Sequence, residues 1–151
     1  MTGLQIAQNE VGNKEIPEGS NWGVHVQKYL ASVGIKVPAS WCMAFVYWCC
    51  KEADANTQLI KTGGVLNQWN KVDTKYKYSE PQMGDIFIMD FGKGLGHTGF
   101  VESIDGDFIH TIEGNATTKS GSREGIEVCR KIRNKKSIKG YIRLWKATKQ
   151  Q

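Results

Sequence analysis

A single thiol, Cys42, heads the apolar run Trp41-Cys42-Met43-Ala44-Phe45-Val46, just behind Pro38 and Ser40. Ser40 suits the role of an N-cap, which puts Cys42 in the first turn of a helix, where free N–H groups and partial positive charge favour thiolate over thiol. A thiolate can attack an acyl carbon once a base stands beside it; without one, Cys42 is only a small hydrophobe in an aromatic-rich helix. The chain supplies a base downstream. His97 opens the run Gly96-His97-Thr98-Gly99-Phe100-Val101-Glu102, and the run Asp107-Phe108-Ile109-His110-Thr111-Ile112-Glu113 is followed by Gly114-Asn115. In such a set Cys42 attacks, and His97 takes the thiol proton and returns it to the leaving amine. Glu113 or Asn115 orients the imidazole, while backbone N–H groups near Cys42 hold the oxyanion.

The elements must bring these groups together. Asp105-Gly106 lies between two alternating runs and signals a hairpin, so His97 and Glu113 fall at the same end of one strand pair. Register then decides whether they meet, because a one-residue slip sends a side chain to the other face of a sheet. A two-residue loop at Asp105-Gly106 pairs His97 with Gly114 and turns Glu113 away. A three-residue loop, Asp105-Gly106-Asp107, sets His97 opposite Asn115 and diagonal to Glu113. The chemistry therefore predicts an odd loop with Gly106 in a left-handed conformation, or else a bulge nearby.

Periodicity predicts helices over Gly3 to Val11, Gly23 to Val33, Trp41 to about Ala53 and, more weakly, Leu59 to Asn70. Strands are expected at about 85–91, 97–104, 107–113, 126–132 and 139–145. Helices first and antiparallel strands after give an α+β domain of N-terminal helices on a sheet of about five strands, and 151 residues suit a single domain over 1–151. The Thr-, Ser- and Gly-rich segment from Asn115 to Gly125 and the turn from Gly92 to Gly96 are candidates for the two rims of a substrate groove.

Taken together, Trp41-Cys42-x-Ala44-Phe45-Val46-x-Trp48, Gly84-Asp85, Gly96-His97-x-Gly99-Phe100-Val101 and Ile112-Glu113-Gly114-Asn115 resemble a CHAP domain, the cysteine- and histidine-dependent amidohydrolase/peptidase family, over residues 3–145. The resemblance implies a papain-like, NlpC-type fold, a catalytic set of Cys42, His97, Glu113 and Asn115, and peptidoglycan as substrate. Family members cut either between muramic acid and the stem peptide or inside the peptides. Some phage members carry an Asp-rich calcium site ahead of the nucleophile; this chain has no such run of spaced carboxylates, so no metal and no cofactor are expected. The alternatives are a wall-binding module that lost the chemistry and an acyl-cysteine transferase on the same fold.

Four cysteines suggest neither disulfide nor zinc. Cys42 and Cys49 lie about 10.5 Å apart along a helix, beyond the ~7 Å a disulfide spans, and no C-x-x-C pair exists. GxGxxG and Walker patterns are absent as well. Met1 to Glu10 lacks the features of a signal peptide, and no run is long and apolar enough to span a membrane, which suggests synthesis in a cytoplasm and action at a cell wall after lysis or secretion. Charge is uneven: residues 1–118 hold nine Lys or Arg against thirteen Asp or Glu, and residues 119–151 hold eleven against two. That basic end suits an anionic wall polymer better than nucleic acid, for which no interleaved aromatic pattern exists. The expected state is a monomer, with an immunity protein as partner if the chain is an antibacterial effector.

Overall fold

The computed structural model describes residues 1–117 and 125–144. Four helices come first: α1 (Gly3–Glu10), α2 (Val24–Ser32), α3 (Cys42–Ala53) and α4 (Val65–Lys71). Strands β1 (Lys77–Tyr78), β2 (Ile86–Gly92), β3 (Leu95–Asp105), β4 (Phe108–Ala116), β5 (Glu127–Asn134) and β6 (Gly140–Ile142) then form one sheet in the order β1-β6-β2-β3-β4-β5, with every neighbouring pair antiparallel. The architecture is the expected α+β arrangement. Its sixth strand is the two-residue β1, too short to leave an alternating pattern in the sequence. The fourth helix starts at Val65 rather than Leu59, because Gly63-Gly64 interrupt it and Gly64 is its N-cap.

Local chemistry explains the helices that matter. Thr2 and Gln5 form a reciprocal capping box that starts α1. Apolar residues ring α3 almost completely, so it is buried on nearly all sides, as such a helix must be. The sheet separates two cores. Ile86, Ile88, Phe100, Ile112, Val128 and Ile142 face the helices, whereas Phe87, Met89, Val101, Ile109 and Tyr141 form a smaller cluster on the opposite face.

The β3–β4 hairpin meets the register requirement by the second of the two expected routes. Its loop is only Gly106-Asp107, with Asp105 paired to Phe108 and Gly106 at φ 59°. A bulge between Val101 and Ser103 then adds one residue to β3, so that Phe100 pairs with Ile112. Continuing that register sets Gly99 across from Glu113 and His97 across from Asn115. A three-residue loop is therefore unnecessary: the bulge at Glu102 supplies the odd residue.

Candidate active site

Cys42 is the first residue of α3, but Ser40 does not cap it. Trp41 occupies the N-cap position and makes no side-chain capping bond, and among the described residues no side chain bonds the free N–H groups of the first turn. Packing overrides capping preference here. The Trp41 indole is fully buried, stacks on Tyr29 at 5.6 Å between centroids, and donates through Nε1 to the buried carboxylate of Glu15 at 2.8 Å. With Trp41 fixed, the chain enters the helix at Cys42, which is 6% exposed: nearly enclosed, yet not sealed.

Two glycines bring the strands to this helix. A Cβ on Gly114 would lie 2.8 Å from Phe45 Cβ and 2.9 Å from Trp41 Cζ3, so only a glycine lets the first turn of α3 press on β4 here. A Cβ on Gly99 would lie 2.6 Å from the Ile112 carbonyl oxygen and 2.9 Å from Glu113 Cγ, in the space the carboxylate side chain needs. The β3–β4 ladder ends at Phe100 and Ile112. Beyond it, His97 and Glu113 project from the face away from the helices and meet near the N-terminus of α3.

His97 Nε2 lies 2.8 Å from Glu113 Oε1. The Cys42 side chain reaches the same imidazole, acting on it by charge and by hydrogen bonding. Burial alone would lower the imidazole pKa, but Cys42 and then Glu113 outweigh it and hold His97 up at about 9. Glu113 is fully buried. Burial would raise its carboxyl, and Arg133 first and His97 second bring it down to about 2. Arg133 forks both carboxylate oxygens, its Nε donating to Oε2 at 2.8 Å and its Nη2 to Oε1, while Thr111 Oγ1 donates to Oε2 at 2.6 Å. Asn115 is buried in the left-handed region at φ 53°, which asparagine tolerates better than most residues, and its Oδ1 has no hydrogen-bond partner among the described residues. Cys42, His97 and Glu113 are thus brought together, with Asn115 two residues beyond Glu113 on β4.

A protein-family model described as the CHAP domain matches residues 34–115, more than half of the chain. The chain belongs to the CHAP-domain family. Among solved structures, the crystal structure of Ly7917 superimposes with a TM-score of 0.59 at 17% identity, covering 94% of this chain and 61% of that one. The crystal structure of a wild-type endolysin, LysIME-EF1, superimposes with a TM-score of 0.44 at 16% identity, covering 95% of this chain and 64% of that one. This CHAP chain therefore spans less than two thirds of the length of either. No curated protein sequence matches it.

All four residues singled out from the sequence fall inside the matched CHAP segment. Three residues that shape the site were not anticipated: Arg133 and Thr111, which hold Glu113, and Glu15, which holds Trp41. The signal for Arg133 is the alternation Cys129, Lys131, Arg133, which shares the face of Glu113 and Thr111 across the β4–β5 pair. The expected basic face is also partly spent within the molecule, since Arg130, Arg133, Lys139 and Arg143 each face a carboxylate, Glu102, Glu113, Asp90 and Asp85 respectively. The candidate rim from Asn115 to Gly125 lies largely outside the described residues. Among the described residues, no cluster of His, Cys, Asp and Glu is suited to a metal ion, no helix is long and apolar enough to cross a membrane, and all four cysteines are unpaired. A cavity of about 690 Å³ opens beside α1, the C-terminal part of α3 and the start of β2, between Leu4, Cys50, Met83 and Arg143. It contains no residue of the Cys42 constellation.

Proposed function

We propose that residues 1–151 act as one catalytic domain that hydrolyses an amide bond of peptidoglycan, at the bacterial cell wall, through an acyl-enzyme on Cys42. The observation that carries this reading is the ordered series of thiol, imidazole and buried carboxylate at an uncapped helix N-terminus. Membership of the CHAP family supports the class of reaction.

The steps follow from the groups. Cys42 sulfur gives its proton to His97 and attacks the amide carbonyl carbon, forming a C–S bond and placing negative charge on the carbonyl oxygen. N–H groups of the first turn of α3 stabilise that charge, because no side chain competes for them. The tetrahedral species collapses, the C–N bond breaks, and His97 passes its proton to the leaving amine. Water, deprotonated by His97, then cleaves the thioester and releases the carboxylic acid. Glu113 stays ionised throughout and keeps the imidazole aligned. Asn115 completes the set at the site's margin.

Digestion of purified peptidoglycan followed by mass spectrometry of the fragments tests this. New N-terminal L-alanine on stem peptides identifies an N-acetylmuramoyl-L-alanine amidase, and cleavage within stem or cross-bridge identifies an endopeptidase. Products joined to an amine instead of water identify an acyl-cysteine transferase. Equal fragmentation by wild type and Cys42→Ala would falsify the cysteine mechanism.

A further inference from the structure

We propose that Arg133 is a positioning residue of this site: by gripping both oxygens of Glu113 it keeps that carboxylate ionised and aimed at His97, and so dictates which imidazole nitrogen faces Cys42. The inference rests on the cysteine mechanism proposed above and extends it to the edge strand β5, beyond the segment that matches the CHAP family.

The geometry is specific. Across the β4–β5 pair, Cys129 is the residue opposite Glu113, whereas Arg133 is opposite Ile109. The Arg133 side chain therefore runs back along the strand before its guanidinium meets the carboxylate. Oε1 is shared between His97 Nε2 and Arg133 Nη2, and Oε2 between Arg133 Nε and Thr111 Oγ1. Four donors on two oxygens leave the carboxylate no freedom to rotate.

An ionised carboxylate only accepts, so the nitrogen that faces it, Nε2, must carry the hydrogen. Nδ1 is then the basic nitrogen left for the thiol proton. During turnover His97 alternates between imidazolium and neutral imidazole, and in the neutral stage it offers Glu113 no charge. A fully buried carboxyl without a counter-charge takes up a proton. Once protonated it donates as well as accepts, and it no longer dictates the tautomer. Arg133 cannot lose its proton under these conditions, so it holds Glu113 ionised through both stages. The remaining titratable groups facing this cluster are Cys42 from α3 and Cys129 and Lys131 from β5. Neither Cys129 nor Lys131 is hydrogen-bonded to the Glu113 carboxylate.

Two readouts on the full chain test the proposal without any substrate, so they stand even if peptidoglycan hydrolysis fails. The first is the ring ¹⁵N shifts of His97 in a Cys42→Ala background, recorded above the imidazole titration. With Arg133 intact these must show the Nε2–H tautomer; an Nδ1–H tautomer overturns the proposal whether or not any Arg133 variant folds. Arg133→Gln is expected to give a tautomer mixture, and Arg133→Lys, which keeps the charge without the fork, to retain Nε2–H. The second is the rate of Cys42 alkylation by iodoacetamide at neutral pH in the otherwise wild-type protein. Arg133→Gln should lower it about tenfold or more, within the ~10²–10⁴ that a positioned base supplies, and Arg133→Lys should fall between. A folded Arg133→Gln protein with wild-type tautomer and wild-type rate overturns the proposal. So does an equal loss of rate in both variants with the tautomer unchanged, which would mark Arg133 as merely structural.

Discussion

Two buried carboxylates, Glu113 on β4 and Asp85 at the start of β2, are each gripped by an arginine fork. Asp85 accepts from Arg143 Nε at 2.8 Å and Nη2 at 2.9 Å, and its Oδ2 also takes the Gln82 backbone N–H. Arg143 donates further to the Glu80 carbonyl and lies 3.8 Å over the Tyr78 ring. Every partner there is an amide, a carbonyl or a ring, and the cluster fastens the start of β2 to the residue following β6. Glu113 has the same fork, but besides the Thr111 hydroxyl it meets an imidazole that also meets a thiol. An arginine–carboxylate pair thus carries no function by itself; the group on its open side decides whether it braces the sheet or sets a base.

The two largest predicted effects lie at the Glu113 end. Cys42→Ala is expected to reduce peptidoglycan digestion to background, since Cys42 is the thiol that acts on His97. His97→Ala should cost about 10²–10⁴ in kcat while the protein folds; both are read by turbidity loss of a cell-wall suspension, with circular dichroism as the folding control. A digestion rate in His97→Ala within tenfold of wild type would remove the base from the mechanism and leave the two carboxylate clusters alike.

The next effect is on pH dependence, and its sign follows from the charges. In the proposed mechanism His97 must hold a proton to give to the leaving amine, and the site raises the imidazole pKa to about 9. kcat/KM is therefore expected to fall as pH rises through about 9. Glu113 is one of the groups that raise the imidazole pKa, so Glu113→Gln should move this limb to lower pH as well as reduce the rate. An unmoved limb would mean that Glu113 braces the site as Asp85 braces the sheet, without tuning the base.

How much of this contrast was legible in the chain depends on how local each signal is. Cys42 and His97 stand out because each sits beside a strong local cue: an apolar helical run for one, a glycine-flanked strand for the other. The pairing of His97 with Glu113 was legible only as a requirement on register, and the bulge that meets it depends on tertiary fit at Glu102, which carries no special sequence mark. Ser40 misled because capping preference is worth about 1 kcal/mol, less than seating the Trp41 indole against Tyr29 and Glu15. Arg133 was missed for a different reason. Strand β5 was expected to end near residue 132, one short of it, and the lysines and arginines around it read as a polymer-binding face. Arg130, Arg133, Lys139 and Arg143 instead each pair with a carboxylate of the acidic part of the chain, and the alternation that sets Arg133 on the face of Glu113 is readable only once the β4–β5 register is known.

The same close packing that distinguishes the Glu113 end makes it sensitive to a single methyl group. Gly99→Ala would drive a Cβ to 2.6 Å from the Ile112 carbonyl and 2.9 Å from Glu113 Cγ. The backbone oxygen cannot easily yield, so Glu113 must shift. A loss of about 1–3 kcal/mol in urea unfolding is expected, together with a drop in kcat larger than KM effects, because an imidazole held by a displaced carboxylate is misaligned. Retained activity at reduced stability would show that the carboxylate tolerates movement, and would weaken the case that the fork sets it.

The smallest effect on catalysis, and the sharpest control for the comparison, comes from the other carboxylate. Asp85→Asn leaves Arg143 facing a neutral amide that can accept through only one atom, so the bidentate grip on the start of β2 is lost. Because Arg143 is partly exposed and can turn to water, the cost should sit near the low end of that for breaking a buried pair, on the order of 3 kcal/mol. That loss should appear in the urea midpoint. It should not appear in the alkylation rate of Cys42 or in the position of the alkaline limb, since the Asp85 carboxylate bonds Arg143 and the Gln82 N–H and, among the described residues, makes no hydrogen bond to His97 or Glu113. A shift of that limb in Asp85→Asn would mean that strain travels along β2 to the imidazole, and the two clusters would then have to be treated as one coupled unit.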